Sequence, residues 1–164
     1  MVRVGLLSDT HNHLEKAAFK YLEECDEIWH AGDMGTIRTG DSLAALKPLR
    51  AVYGNIDGAD VRAVHPRVQR FICEELDVMM THIGGYPGHY VSEVKKVFEI
   101  HPPGLFICGH SHILKVMFDS TYKFLHINPG AAGLEGFHKV KTLVRFTVDK
   151  SVLKNLEVVE LGKR

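Results

Sequence analysis

Short apolar runs in this chain keep ending in the same way, on a tight cluster of Asp, His, Asn and Gly. Val2 to Leu7 closes on Ser8-Asp9-Thr10-His11, and Glu27 to His30 leads into Ala31-Gly32-Asp33. Arg50 to Tyr53 ends at Gly54-Asn55-Ile56-Asp57-Gly58, Asp77 to Met80 runs into Thr81-His82, and Leu105 to Cys108 reaches Gly109-His110-Ser111-His112. A run of four to six residues without solvent-facing alternation suits a strand buried on both faces of a sheet. Between the first two runs, Leu14, Ala17, Ala18, Tyr21, Leu22 and Cys25 fall on one stripe of an amphipathic helix. Strand, helix, strand is the βαβ unit, so the frame is a parallel sheet with polar clusters at the strand ends.

The remaining segments fill in around it. Asp41 or Ser42 is expected to cap a short helix through Leu46, which Pro48 ends. Arg70 to Glu74 and Asp77 to Met80 read as a strand pair around a tight turn. Gly84, Gly85, Pro87 and Gly88 mark a loop, and Tyr90 to Ile100 a helix with Val91, Val94 and Phe98 inward. The last third reads as antiparallel: a hairpin of Val116–Phe118 and Lys123–Ile127, a turn at Asn128-Pro129-Gly130, and a strand over Thr142–Val148 with Val144, Phe146 and Val148 on one face.

Ligands of open α/β sheets bind beyond the carboxyl ends of the strands. Collected there, the clusters offer Asp9, His11, Asp33, Asn55, His82, His110 and His112. That set exceeds the needs of one tetrahedral ion and suits two divalent ions that share a carboxylate and keep positions open for water. Mixed nitrogen and oxygen donors favour a transition metal over magnesium or calcium. Manganese is the first expectation, with iron, zinc, nickel or cobalt as alternatives. Six of the eleven histidines (His11, His13, His30, His82, His110 and His112) lie in or beside these clusters, which is why metal is the leading chemistry.

The ordered set Asp9-x-His11, Gly32-Asp33, Gly54-Asn55-x-Asp57, Thr81-His82 and Gly109-His110-x-His112, followed by Asn128-Pro129-Gly130, resembles the calcineurin-like metallophosphoesterase superfamily, in particular its small single-domain YfcE-type phosphodiesterases. The resemblance implies an α/β fold, a four-layer αββα sandwich of two mixed sheets flanked by helices, with residues 1–164 as one domain and no cap domain. It implies that Asp9, His11, Asp33 and His112 hold one ion and that Asp33, Asn55, His82 and His110 hold the other, with Asp33 as the bridge. Asp33, Asn55 and His82 then stand closest to the reaction, hydrolysis of a phosphoester by a hydroxide bridging the two ions. The same fold also resembles Vps29-like protein-interaction scaffolds with a degraded metal site, and a phosphomonoesterase is a further alternative. All seven ligand positions are filled here, which favours the enzyme. Homo-oligomers are common among small members.

Two positions depart from the family pattern. Many members place His, a proton donor to the leaving group, where this chain has Ile56; relatives also often have Gly directly after the His, and here Ile83 intervenes. Good leaving groups are therefore expected to react best, with His13 or His89 as replacement acids. His13 and Asp57 are expected beside the site, Asp57 fixing a loop or an imidazole. His30, ahead of Ala-Gly in an apolar run, is expected to be buried and hydrogen-bonded next to the ligands. His65, His101, His126 and His138 are read as structural or solvated. Only Arg38 and Arg62 stand near the motifs as anion-binding candidates.

Charge decides among partners. Twenty basic residues cancel twenty acidic ones, so there is no broad positive field for a long nucleic acid, and a small phosphodiester, cyclic nucleotides included, is the expected substrate. Cys25, Cys73 and Cys108 are odd in number and set among apolar residues, arguing against a disulfide framework. No basic segment followed by an apolar one opens the chain and no uncharged apolar run approaches membrane-spanning length, so a cytoplasmic protein without a membrane partner is expected.

Overall fold

The computed structural model describes residues 1–164. In chain order the elements are β1 (Val2–Leu7), α1 (Lys16–Glu23), β2 (Glu27–His30), α2 (Ile37–Leu46), β3 (Leu49–Ala51), α3 (Ala59–Val64), β4 (Val68–Cys73), β5 (Leu76–Thr81), β6 (Gly85–Tyr86), β7 (His89–Tyr90), α4 (Ser92–Ile100), β8 (Leu105–Ile107), β9 (Lys115–Asp119), β10 (Phe124–Asn128), β11 (Val140–Asp149) and β12 (Val152–Lys163). They form two five-stranded sheets, ordered β12-β11-β1-β2-β3 and β4-β5-β8-β10-β9, and a small β6-β7 hairpin. Within the first sheet β1, β2 and β3 are parallel, β11 runs antiparallel to β1 and β12 antiparallel to β11; within the second β5, β8 and β10 are parallel, β4 runs antiparallel to β5 and β9 antiparallel to β10.

Alternation along the strands builds the layers. Val4 and Leu6 of β1, Val144, Phe146 and Val148 of β11, Val78 and Met80 of β5, and Leu105 and Ile107 of β8 meet between the sheets in the largest apolar cluster. On the outer face of the first sheet, Ala18 and Leu22 of α1 and Leu43 of α2 cover Leu7, Ile28 and Leu143. On the outer face of the second, Val94 and Phe98 of α4 cover Met79, Phe106 and Phe124. The result is the expected four-layer αββα sandwich. Helix α1 lies close to its sheet because Gly5 has no side chain: a Cβ there would stand 2.5 Å from Leu22 Cδ2. No helix is long and apolar enough to cross a membrane.

Several boundaries differ from the sequence reading. Helix α1 is confined to Lys16–Glu23 and Ala17 of its stripe is exposed. Helix α2 starts at Ile37, not at Asp41 or Ser42; its N-cap Thr36 makes no side-chain cap bond, and Asp60 accepts the Ile37 N–H at 3.3 Å instead. The cap thus comes from a residue distant in sequence. Helix α3 was not foreseen, and neither was β12. Only Val159 and Leu161 of that twelve-residue edge strand are buried; Val152, Leu156 and Val158 are exposed, and the pairing with β11 shifts register twice, so its apolar residues do not alternate regularly. The segment expected as a loop from Gly84 forms the β6-β7 hairpin, which runs on to Tyr90, and α4 begins at Ser92 rather than Tyr90.

Candidate metal centre

The segments leaving β1, β2, β3, β5 and β8 are laced together by their backbones. Asp9 N–H donates to Gly32 O (2.9 Å), His11 N–H to Asp33 O (3.1 Å) and Gly109 N–H to His82 O (2.9 Å). Side chains extend the lacing, with Ile56 N–H on Asp33 Oδ1 (3.0 Å) and His110 N–H on Asp9 Oδ2 (3.1 Å). These bonds bring the Asp and His side chains of the strand ends to one place. Ligating atoms of Asp9, His11 and His112 lie within 4.8 Å of one another, and so do those of Asp33, His82 and His110.

The two groups meet at Asp33 and Asp9. Asp33 Oδ2 lies 3.2 Å from His82 Nε2 and 3.6 Å from His11 Nε2, so one oxygen faces an imidazole of each group. Asp9 Oδ2 accepts from Ser8 Oγ (2.6 Å) and His110 N–H, which leaves Oδ1 turned towards His112 Nε2 (3.1 Å). His82 Nδ1 bonds the Ala31 carbonyl at 2.8 Å; a carbonyl only accepts, so Nδ1 carries the proton and the neutral ring's lone pair is at Nε2. That geometry sets acceptors against acceptors across a small space.

Three observations fit divalent cations there. Asp9 Oδ1, His11 Nε2 and His82 Nε2 are buried without a hydrogen-bond partner. Asp9 and Asp33 are almost fully buried, 0% and 2% exposed, yet neither pairs with a Lys or Arg. Buried charge of this kind needs a compensating cation. The third observation is backbone strain. Asp9, His11, Asp33, His110 and His112 have φ of 54°, 45°, 53°, 69° and 59°, a region that costs a non-glycine residue on the order of 1 kcal/mol or more. Other left-handed residues sit mostly in hairpin turns, such as Glu74 between β4 and β5 and Lys150 between β11 and β12.

Electrostatics follow the same pattern. Burial opposes the charge of Asp9, but the neighbouring His11, His112 and His82 rings and the Ser8 hydroxyl outweigh it and hold the carboxyl below its usual range. Burial also opposes ionisation of Asp33, and His82 with the Ile56 N–H reverses the balance, so its carboxyl too is lowered. The His11 ring is raised, chiefly by Asp9. For His82 burial is overcome by Asp33 and Asp9, and the ring is raised. His110 goes down, through burial and the neighbouring His82. The two carboxylates make a strongly electronegative point at the centre of the histidines.

The Asn55 side chain makes no hydrogen bond within the protein; it is exposed and lines, with His82, a cleft of about 320 Å3 beside the Asp33 group. Gly54 before it is forced by proximity, since a Cβ would fall 2.0 Å from Asp33 Oδ1. Asp57 bonds neither group directly. It is buried and accepts Gly54 N–H (2.7 Å), Gly35 N–H (2.8 Å) and Met34 N–H (3.2 Å), tying the loop after β2 to the loop after β3. His30 is fully buried: Nδ1 accepts Gly32 N–H (3.1 Å), Nε2 meets Thr10 Oγ1 (3.0 Å), and that hydroxyl donates to Met34 O (3.0 Å). Burial pushes this ring down to about 4, consistent with a neutral spacer. His13 hydrogen-bonds Glu15 (3.3 Å), which Lys141 also holds, and His89 sits on β7 against Tyr86; neither is among the grouped residues.

Further residues support the centre. Ser8 orients Asp9, and Asn128 Nδ2 bonds Gly109 O (2.9 Å) and Ser111 Oγ (3.0 Å), fixing the loop that carries His110 and His112. His138, read as structural or solvated, packs edge-on against His112 at 5.3 Å. Arg62 and Arg67 line the cleft with Asn55 and His82, whereas Arg38 lines a separate hollow beside Asn12 and Phe19. Sequence distance hides the contacts of His138 and Arg67; Ser8, adjacent to Asp9, carries a local signal, Asn128 belongs to the motif set behind the family resemblance, and Arg62 stands among the anion-binding candidates.

Known proteins agree with this architecture. A probable metallophosphoesterase of Methanocaldococcus jannaschii is 27% identical over 165 residues, covering 96% of this chain and 81% of the relative. An archaeal phosphodiesterase superposes with a TM-score of 0.71 at 22% identity, covering 97% of this chain and 99% of the other. Vps29 of Entamoeba histolytica in complex with zinc gives 0.74 at 14% identity, covering 98% of both chains. Residues 2–151 match the calcineurin-like phosphoesterase superfamily domain, and the chain belongs to that superfamily.

Proposed function

We propose that this chain is a dinuclear metal-dependent phosphodiesterase acting on small phosphodiesters. The observation that carries the reading is Asp33 Oδ2, poised between His82 and His11 so that one carboxylate oxygen serves both ligand groups. In this reading Asp9, His11, Asp33 and His112 hold one divalent ion and Asp33, Asn55, His82 and His110 the other; the mixed donor set suits a transition metal, and manganese is the ion to test first. Such a pair supplies Lewis acidity and an activated water to the phosphoester.

The chain's own residues do the rest. Ser8 and the His110 N–H take up Asp9 Oδ2 and so present a single oxygen, Oδ1, to the centre. Asp57 holds the Asp33 and Asn55 loops in register. Asn55, exposed in the cleft, can present its amide N–H to a phosphoryl oxygen while its carbonyl faces the centre. Ile56 is half exposed and has no proton to give; its N–H is spent on Asp33. The leaving group therefore departs without help from position 56, and aryl or otherwise acidic alcohols are the favoured leaving groups.

Hydrolysis of bis(p-nitrophenyl) phosphate and of p-nitrophenyl phosphate after manganese loading tests the reading. The diester is expected to turn over faster. A monoester preference would make the protein a phosphatase, and no turnover with any divalent metal would leave the scaffold role that Vps29-like architecture serves.

A further inference from the structure

The cleft beside Asn55 and His82 carries a charge that nothing in the fold neutralises. Arg62 is held in place by main-chain oxygens: Nε donates to Asp57 O (2.6 Å) and Nη2 to Asn55 O (3.3 Å), while the guanidinium lies 4.6 Å over the Tyr53 ring. These partners fix the fork without cancelling its charge, and no carboxylate pairs with it. Nη1 makes no hydrogen bond, so its N–H groups remain to be used. Arg67, on the same cleft, pairs with Glu93 at 2.6 Å, but with side chains 63% and 67% exposed that pair is readily given up for a better acceptor.

A guanidinium anchored on the peptide of Asn55 is rigidly related to the centre, because Asn55 follows Gly54, which packs on Asp33. It is not a ligand of the centre. A planar fork with free N–H groups, held beside an aromatic ring and a second arginine, is the chemistry of phosphate recognition. The chain has no net charge, so the two arginines form a local anion site rather than part of a track for a polyanion. We propose that this cleft binds a second phosphoryl group, carried on one ester arm of the substrate, with Arg62 as the principal contact and Arg67 as its partner. The inference deepens the phosphodiesterase reading and rests on it for the position of the scissile phosphate.

Thymidine 5′-(p-nitrophenyl phosphate), with and without a 3′-phosphate, isolates the effect. In the manganese-loaded protein the added phosphate is expected to lower KM about tenfold, the worth of one good charge-assisted contact, and the gain should shrink with added salt. Arg62→Gln should bring the two KM values together, and Arg62→Lys, which keeps charge but loses the fork, should retain part of the gain. Equal KM values in the unaltered protein, or a gain that survives Arg62→Gln, would overturn the proposal. Calorimetric binding separates this outcome from failure of the catalytic reading: if neither ester turns over, thymidine 3′,5′-bisphosphate should still bind about tenfold tighter than thymidine 5′-phosphate, and only in protein that retains Arg62. Equal binding of the two nucleotides would sink the subsite whatever the activity.

Discussion

Replacing Asp57 with alanine should loosen the centre without touching any residue that faces it. The carboxylate accepts three backbone N–H groups, and those of Met34 and Gly54 are buried. Removing it strands two buried donors at about 1 to 3 kcal/mol each; water entering beside half-buried Gly35 limits the loss, so about 3 kcal/mol is expected. In a chain of this size that lowers the melting temperature by about 10 °C. Because Asp57 joins the loops of Asp33 and Asn55, metal affinity should fall about tenfold or more, as when outer partners of metal ligands are removed. Differential scanning calorimetry and a manganese titration read the two effects. A melting temperature within about 2 °C of the parent, or unchanged affinity, would refute the role given to Asp57.

Other substitutions probe Gly54, Ile56 and His30. Gly54→Ala puts a methyl group on Asp33 and should leave fewer than two bound ions per chain by elemental analysis; full occupancy would contradict the close packing. Ile56→His should raise rates for poor leaving groups more than for nitrophenol, and an unchanged leaving-group dependence would show that position 56 does not face the departing oxygen. His30 is neutral in the fold because burial lowers it from 6.5 to about 4, so the unfolded chain binds the extra proton between those values and stability falls as the pH drops through them. At pH 5 this costs about 2 kcal/mol relative to pH 7, and His30→Gln should remove that part of the pH dependence in urea unfolding. A variant with the parent's pH slope would exclude His30 as its source.

The strand-end clusters could be read from sequence because each is contiguous and sits after a run whose burial is unambiguous. Asp9, His11, Asp33, His82, His110 and His112 declare themselves by type and position, and the parallel strands carry them to one edge. What supports them is non-local. Asp57 reaches back to Met34 and Gly35, Asn128 to Gly109, and Asp60 to the start of α2, and no periodicity records such contacts. Strand β12 was missed for a different reason: an edge strand paired on one side to β11 needs few buried residues, so its sequence follows neither strand nor helix period. Arg67 likewise gives no hint in sequence that it shares a cleft with Arg62.

Under the proposed function Asp33 joins two ions into one centre. Anomalous scattering from crystals grown with manganese tests it most directly. Two peaks are expected, one among Asp9, His11 and His112 and one among His82, His110 and Asn55, with Asp33 touching both. A single peak, or two that do not share Asp33, would rule out Asp33 as a bridge.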